Sequence, residues 1–283
     1  MSPREVCAAI QRAQREAAEI MLGASKEIAA RDKTDRRDLV TVYDGQVQEL
    51  LIRRLSEALP GAKFFCEEND RQDDLLAEQL FIIDPIDGTM NFVHHLNHSA
   101  ISVGYTCRGV LEAAAVYNPY VDEMFTAVRG EGAYLNGKRL HVETLPLEDT
   151  LICFGSAPYN TELTGPTFAL AELAYRTGLD IRRQGTASLD LCSVAAGRAG
   201  AYYELSLSLW DYAAGALIVS EAGGVITKID GSPVAWDGSK SSVLAASPEN
   251  SLAMQKLAET VLRQGSASPT ARGEKREQKA AGK

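Results

Sequence analysis

No stretch of the 283-residue chain approaches the roughly 18 consecutive apolar residues of a membrane span, so no membrane-spanning helix is expected. The chain also lacks the apolar block of a signal peptide near its start, where Met1-Ser2-Pro3-Arg4-Glu5 leads into an amphipathic segment. Cysteine is scarce. Cys7, Cys66, Cys107, Cys153 and Cys192 are odd in number, scattered, and free of any C-x-x-C pair. That pattern excludes a disulfide framework and a structural zinc site, and fits reduced thiols in a cytoplasmic protein. Positive charge is in deficit too, with 29 Lys and Arg against 38 Asp and Glu and a net charge of −9. No nucleic-acid partner is expected on that balance, whereas a phosphate substrate remains open because a bound cation can supply positive charge locally. No internal repeat is found. What is present, 45% hydrophobic and 24% charged residues, is ordinary for a globular protein large enough for one big domain or two lobes.

Val6, Ile10, Ala13, Ala17, Met21, Ala24 and Ile28 recur at helical spacing and predict one amphipathic helix. A polar loop covers Arg31 to Asp38. Leu39 to Tyr43 reads as extended chain, and Val47, Leu50, Leu51, Leu55 and Leu59 mark a second helix stopped by Pro60-Gly61, with Asp44 at its N-cap. Ala62 to Cys66 predicts a short strand that runs into Glu67-Glu68. From Ala100 to His141 short apolar runs alternate with Arg108-Gly109, Asn118-Pro119, Arg129-Gly130 and Asn136-Gly137, the pattern of an antiparallel meander. After Glu148 strands and helices alternate, which predicts a second lobe of layered α/β type. Its helix from Asp211 to Ala222 opens on an acid at the N-cap. The expected domain is a single unit over about 1–266, divided near 145 into an N-terminal α+β lobe and a C-terminal α/β lobe. The Gly, Ser, Ala and charge-rich stretch 267–283 is expected to be a disordered basic tail.

One segment carries chemistry. In Ile82-Ile83-Asp84-Pro85-Ile86-Asp87-Gly88-Thr89-Met90-Asn91-Phe92 an apolar run stops at Asp84, a second acid follows three residues later, and Thr89 stands near the N-cap of a short helix. Two acids in a turn between strand and helix can face one hard cation, and the adjoining helix start can hold an anion. Alone, such a D-x-x-D-G also fits a solvated loop with one acid as a cap. Glu67, Asp84, Asp87 and Asp211, with Asp44 as a fifth, all fall at junctions between elements, as carboxylates converging on metal ions do.

These residues resemble the inositol monophosphatase family of magnesium-dependent, lithium-sensitive phosphatases. Asp84 to Phe92 matches the family pattern D-P-[IL]-D-G-T-x-N-F, Glu67-Glu68 precedes it, and Trp210-Asp211-Tyr212-Ala213-Ala214-Gly215 and Glu221-Ala222-Gly223-Gly224 follow in family order. The resemblance covers about Val6 to Arg263. It implies a layered α-β-α-β-α sandwich of mixed α+β and α/β class and a homodimer. It implies two or three Mg²⁺ ions held by Glu67, Asp84, the Ile86 carbonyl, Asp87 and Asp211. Gly88 and Thr89 would receive the phosphate. Thr89, paired with Asp44, and Glu67 would serve the attacking water, and Ala187 and Glu204 would line the alcohol side. The implied reaction is hydrolysis of a small phosphomonoester, inositol monophosphate first, by metal-activated water without a covalent intermediate. Fructose-1,6-bisphosphate, histidinol phosphate, NADP(H), 3′-phosphoadenosine nucleotides and a non-catalytic regulatory role are the alternatives. Glu204 reads equally as an ordinary strand-end charge. Cys66, where the family often has Gly, either fills space or makes the site sensitive to oxidation. His94, His95 and His98 are read as a polar loop at the cleft rim, since Mg²⁺ does not favour imidazole.

Overall fold

The structure, a computed structural model, describes residues 1–25, 27–33, 36–68 and 72–266. The tail expected at 267–283 lies outside the described residues. The first layer is a pair of helices, α1 (Pro3–Leu22) and α2 (Val42–Ala58), joined through a small hairpin of β1 (Ala30–Asp32) and β2 (Leu39–Thr41). They cover one face of a seven-stranded sheet made of β3 (Lys63–Cys66), β4 (Leu80–Asp87), β5 (Ala100–Cys107), β6 (Val110–Asn118), β7 (Glu123–Val128), β8 (Gly132–Leu135) and β9 (Lys138–Arg139), in chain order across the sheet. A one-and-a-half-turn helix, α3 (Thr89–Val93), interrupts the run between β4 and β5. Strands β3 and β4 are parallel and the remaining pairs are antiparallel, as the meander requires.

The second half builds a five-stranded sheet from β10 (Leu151–Phe154), β11 (Asp180–Arg182), β12 (Ala201–Leu207), β13 (Val225–Thr227) and β14 (Ser241–Ala246), in the order β11-β10-β12-β14-β13. Helices α4 (Thr164–Thr177) and α7 (Pro248–Ser266) cover its outer face. Helices α5 (Ala187–Ala195) and α6 (Leu209–Glu221) lie between the two sheets. The result is the layered α-β-α-β-α sandwich.

Burial explains the layering. Side chains of a strand point alternately to the two faces. In β4, Leu80 and Ile82 join the core between the sheets, while Phe81 and Ile83 join the core beneath α1 and α2. In β12, Tyr202 faces the middle layer and Ala201 and Tyr203 face α4 and α7. Sheets covered on both faces have apolar residues at successive positions, so their strands read as unbroken apolar runs.

Four boundaries differ from the sequence expectation. Helix α1 ends at Leu22 with Gly23 as its C-cap, whose N–H still reaches the Glu19 carbonyl; Ala24 and Ile28 still pack on the same core as irregular chain. Strand β4 does not stop at Asp84. It continues to Asp87 with all eight residues buried, and the register against β5 shifts between Asp84 and Asp87. Thr89 does stand near the N-cap as expected, being the first residue of α3, whose N-cap is Gly88 with φ 84°. Asp44 and Asp211 are not N-caps. Thr41 and Ser208 hold those positions, and each Asp sits at the third residue of its helix, accepting the backbone N–H of the cap at 2.7 Å.

Candidate active site

The register shift at the end of β4 sets the site. It places Asp84 and Asp87 on a buried, irregular strand end. The parallel strand β3 delivers Glu67 beside them, since the Glu67 N–H continues the pairing by donating to the Ile83 carbonyl at 3.1 Å. Helix α6 brings Asp211 from the middle layer. Burial comes first in raising the Asp84 carboxyl well above its usual range, and the charges of Glu67, Asp87 and Asp211 add to it. Asp211 is raised by burial and then by Glu67 and Asp87. Burial pushes Asp87 up to about 7 against the opposing hydrogen bonds from Ser188. The four acids expected from the motifs therefore lie within electrostatic reach of one another.

One cation among the described residues already answers part of this charge. Lys33, directly after β1, places Nζ 2.7 Å from Glu67 Oε1 and also contacts Glu68 Oε1. Burial works to lower the Lys33 pKa, yet Glu67 and Glu68 outweigh it and raise it. Glu68 is fixed in turn by Gln48, which donates to its carbonyl at 2.9 Å and accepts its N–H at 3.0 Å.

Asp44 lies behind the acids, fully buried. Its Oδ2 accepts the Thr41 N–H and hydroxyl, and its Oδ1 stands 3.2 Å from the Thr89 hydroxyl. The same hydroxyl is 3.0 Å from the Ile86 carbonyl. Burial raises Asp44, with the Thr41 hydrogen bonds opposing. The helix-capping geometry and the contact with Thr89 are both present, because the two carboxylate oxygens serve different partners.

An open cleft joins these groups to residues from the second half of the chain. Its walls include Glu67, Asp87, Gly88, Thr89, Ala187, Glu204 and Asp211, while Asp84, Ile86 and Asp44 lie behind them. Glu204 is not a loose strand-end charge. Its Oε1 accepts the Ala157 N–H at 2.7 Å and its Oε2 the Tyr202 hydroxyl at 2.8 Å, and Gly155 leaves room for it, since a Cβ there would lie 1.8 Å from Oε2. Burial raises its pKa.

The residues suit a hard divalent cation. Carboxylates crowd together, and Asp84 Oδ1 is buried with no hydrogen-bond partner, although such atoms are normally satisfied. Among the described residues no three acidic, cysteine or histidine side chains stand ready to grip an ion as they are. Glu67 is turned to Lys33, one oxygen of Asp87 to Ser188, and one of Asp211 to Ser208.

A sequence profile of the inositol monophosphatase family matches residues 2–266. The chain belongs to this family. A relative described as a putative Nus factor SuhB of Neisseria meningitidis serogroup B is 38% identical over 250 residues, covering 87% of this chain and 95% of that one. An inositol-1-monophosphatase of Mesorhizobium japonicum is 37% identical over 69% of this chain and 73% of its own. Among solved structures, the extragenic suppressor protein suhB of Bartonella henselae superposes with a TM-score of 0.83 at 31% identity, over 89% of this chain and 97% of that one. An IMPase/NADP phosphatase complexed with Mg²⁺ and phosphate superposes with a TM-score of 0.77 at 25% identity, over 89% of this chain and 92% of that one.

Within this inositol monophosphatase fold, the three histidines stay out of the cleft wall. His94 and His95 are exposed, and His98 meets the site through its backbone carbonyl, which accepts Asn91 and Thr186 at 2.8 Å each. Cys66 is fully buried in the core beneath α1 and α2, which favours the space-filling role. Sequence reasoning missed Lys33, Gln48 and Ser188. Lys33 sits in a loop rich in both charges, and its partners lie 34 and 35 residues away, so no local pattern marks it. Gln48 and Ser188 carry no helical or strand periodicity of their own. The family resemblance assigned a role only to Ala187, the residue before Ser188.

Proposed function

We propose that the protein hydrolyses a small phosphomonoester in a Mg²⁺-dependent reaction, with inositol monophosphate the first substrate. The observation that supports this most is the unpartnered, buried Asp84 Oδ1 among four carboxylates at the foot of a cleft. Glu67, Asp84, Asp87, Asp211 and the Ile86 carbonyl would hold two or three Mg²⁺ ions. When bound, Mg²⁺ lowers the pKa of water and offsets charge on the phosphate and on the leaving oxygen. Thr89, with Gly88, meets the phosphate at the start of α3. The Thr89 hydroxyl passes a proton from the attacking water to Asp44 Oδ1, the acceptor 3.2 Å away. Glu67, on the same wall, orients that water. Attack forms a P–O bond and breaks the ester P–O bond; the leaving alkoxide takes its proton from a second water in the open cleft, and Asp44 releases the proton it received to solvent, so that charge balances. Glu204 and Ala187 face the alcohol half, where a carboxylate accepts hydrogen bonds from neighbouring hydroxyls.

The test is phosphate release from a panel of phosphomonoesters, comprising inositol monophosphate, fructose-1,6-bisphosphate, histidinol phosphate, NADP(H) and 3′-phosphoadenosine nucleotides, with Mg²⁺, with Mg²⁺ plus Li⁺, and with EDTA. Turnover that needs Mg²⁺ and falls with Li⁺ supports the reading, and turnover that persists in EDTA sinks it. The Nus factor names of close relatives favour a second reading, a binding protein that keeps the fold without turnover. Silence across the whole panel with Mg²⁺ present would favour it. The cytoplasmic location and homodimer implied by the family are part of the proposal, the dimer being checked by sedimentation. Among the described residues no helix is long and apolar enough to cross a membrane.

A further inference from the structure

Asp87 and the start of α5 come from different halves of the chain, and two hydrogen bonds join them directly. The Ser188 backbone N–H donates to Asp87 Oδ2 at 2.6 Å, and the Ser188 hydroxyl donates to the same oxygen at 2.5 Å. Ser188 is fully buried. No solvent competes for its hydroxyl, and a carboxylate gives it a charge-assisted partner. Two Ser188 donors on one oxygen, with the Ala187 backbone N–H as a further donor to the same carboxylate, fix its plane.

The start of α5 is itself locked to the strand end that carries Asp87. Asn91 Nδ2 lies 2.8 Å from the His98 and Gln184 carbonyls and 3.1 Å from Thr186 Oγ1. Thr186 donates to the His98 carbonyl at 2.8 Å. Gly88 lets this turn approach, because a Cβ there would stand 2.3 Å from Thr186 Oγ1. The clamp therefore has a rigid base in α3 and its loop.

We infer that Ser188 is a positioning residue for the divalent cation, its hydroxyl holding the Asp87 carboxylate in the orientation in which it serves as a ligand. This rests on the metal-dependent reading above and adds a residue that the family motif does not contain. Groups that orient metal ligands from behind commonly carry 10- to 100-fold of metal affinity or activity. The hydroxyl is separable from the fold, since Ser188→Ala keeps the backbone donor and has the higher helix propensity.

The experiment is calorimetric titration of MgCl₂ into the full chain, wild type, Ser188→Ala and Ser188→Thr, with no substrate present. The expected result is Mg²⁺ affinity about tenfold weaker in Ser188→Ala and largely restored in Ser188→Thr, which keeps a hydroxyl. In parallel, the Mg²⁺ concentration giving half-maximal rate rises in Ser188→Ala while the rate at saturating Mg²⁺ stays near wild type. Unchanged or tighter Mg²⁺ binding in Ser188→Ala, with wild type binding normally, overturns the inference alone. Wild type that takes up no Mg²⁺ overturns it together with the metal-dependent reading.

Discussion

Asp84 shows how a single residue can oppose stability and serve function at once. Its carboxyl is buried, faces three other acids, and has one oxygen with no partner. Asp84→Asn removes the charge while keeping the shape. Turnover is expected to fall by about 10³-fold, the scale of losing a preorganised electrostatic group, and the melting temperature in EDTA is expected to rise because the repulsion is relieved. Initial rates at saturating Mg²⁺ and thermal melts on the same preparation check both halves; near wild-type turnover would show that Asp84 holds no ion. Lys33 predicts the opposite sign. Its side chain and those of Glu67 and Glu68 are 20%, 20% and 11% exposed, so this is not a surface ion pair. Lys33→Met leaves two acids facing each other and should cost about 2 kcal/mol in EDTA, below the cost for a fully buried pair because water still reaches the site. Added Mg²⁺ should narrow that gap, and melts with and without the ion measure it.

Among the elements, the packing of α5 on α6 decides whether the acids meet. Gly215 of α6 lies against Leu191 of α5, and a Cβ at 215 would come within 2.5 Å of Leu191 Cδ1 and 2.7 Å of Leu191 Cβ. Gly215→Ala would gain up to about 1 kcal/mol of helix propensity. The overlap falls on a fully buried branched side chain and should cost about 1–3 kcal/mol, so net destabilisation is expected, read as a lower denaturant midpoint. The same displacement moves Ser188 and Asp211 apart, so Mg²⁺ affinity should weaken as well. These helices also mark the limit of what could be read from sequence. Periodicity and turn residues located nearly every strand of the meander, because alternating burial and glycine turns are local signals. The placement of acids at element junctions, together with the family resemblance, singled out Glu67, Asp84, Asp87 and Asp211. What stayed hidden was contact across sequence distance, with Lys33 meeting Glu67 34 residues on and Ser188 meeting Asp87 101 residues back. The exact end of β4 stayed hidden too, since the apolar run stops at Asp84 where the strand instead shifts register and continues to Asp87.

At the scale of the whole molecule, the acids make stability depend on pH in a direction opposite to ordinary acid denaturation. An Asp titrates near 3.8 in an unfolded chain, whereas burial holds Asp87 up to about 7 in the fold. Between those values the folded protein binds more protons than the unfolded one. The contribution is fully present below about 4, and it is lost as pH rises through about 7 and the folded carboxyl ionises. Asp84 and Asp211 are raised as well and act in the same sense. Surface acids such as Asp122, lowered by its hydrogen bonds from Arg15 and Tyr117, act in the opposite sense only below the usual carboxylate range. The metal-free protein should therefore melt at lower temperature as pH rises from about 5 to about 8. Mg²⁺ at a hundred times its dissociation constant adds about 2.7 kcal/mol by mass action. It must displace the protons that Asp87 and its neighbours still hold at pH 5, so at fixed ion concentration its stabilisation should be smaller there than at pH 8. Thermal melts at both pH values, in EDTA and in MgCl₂, give the four numbers needed. A Mg²⁺-induced shift of equal size at pH 5 and pH 8 would mean that the ion does not bind at these carboxylates.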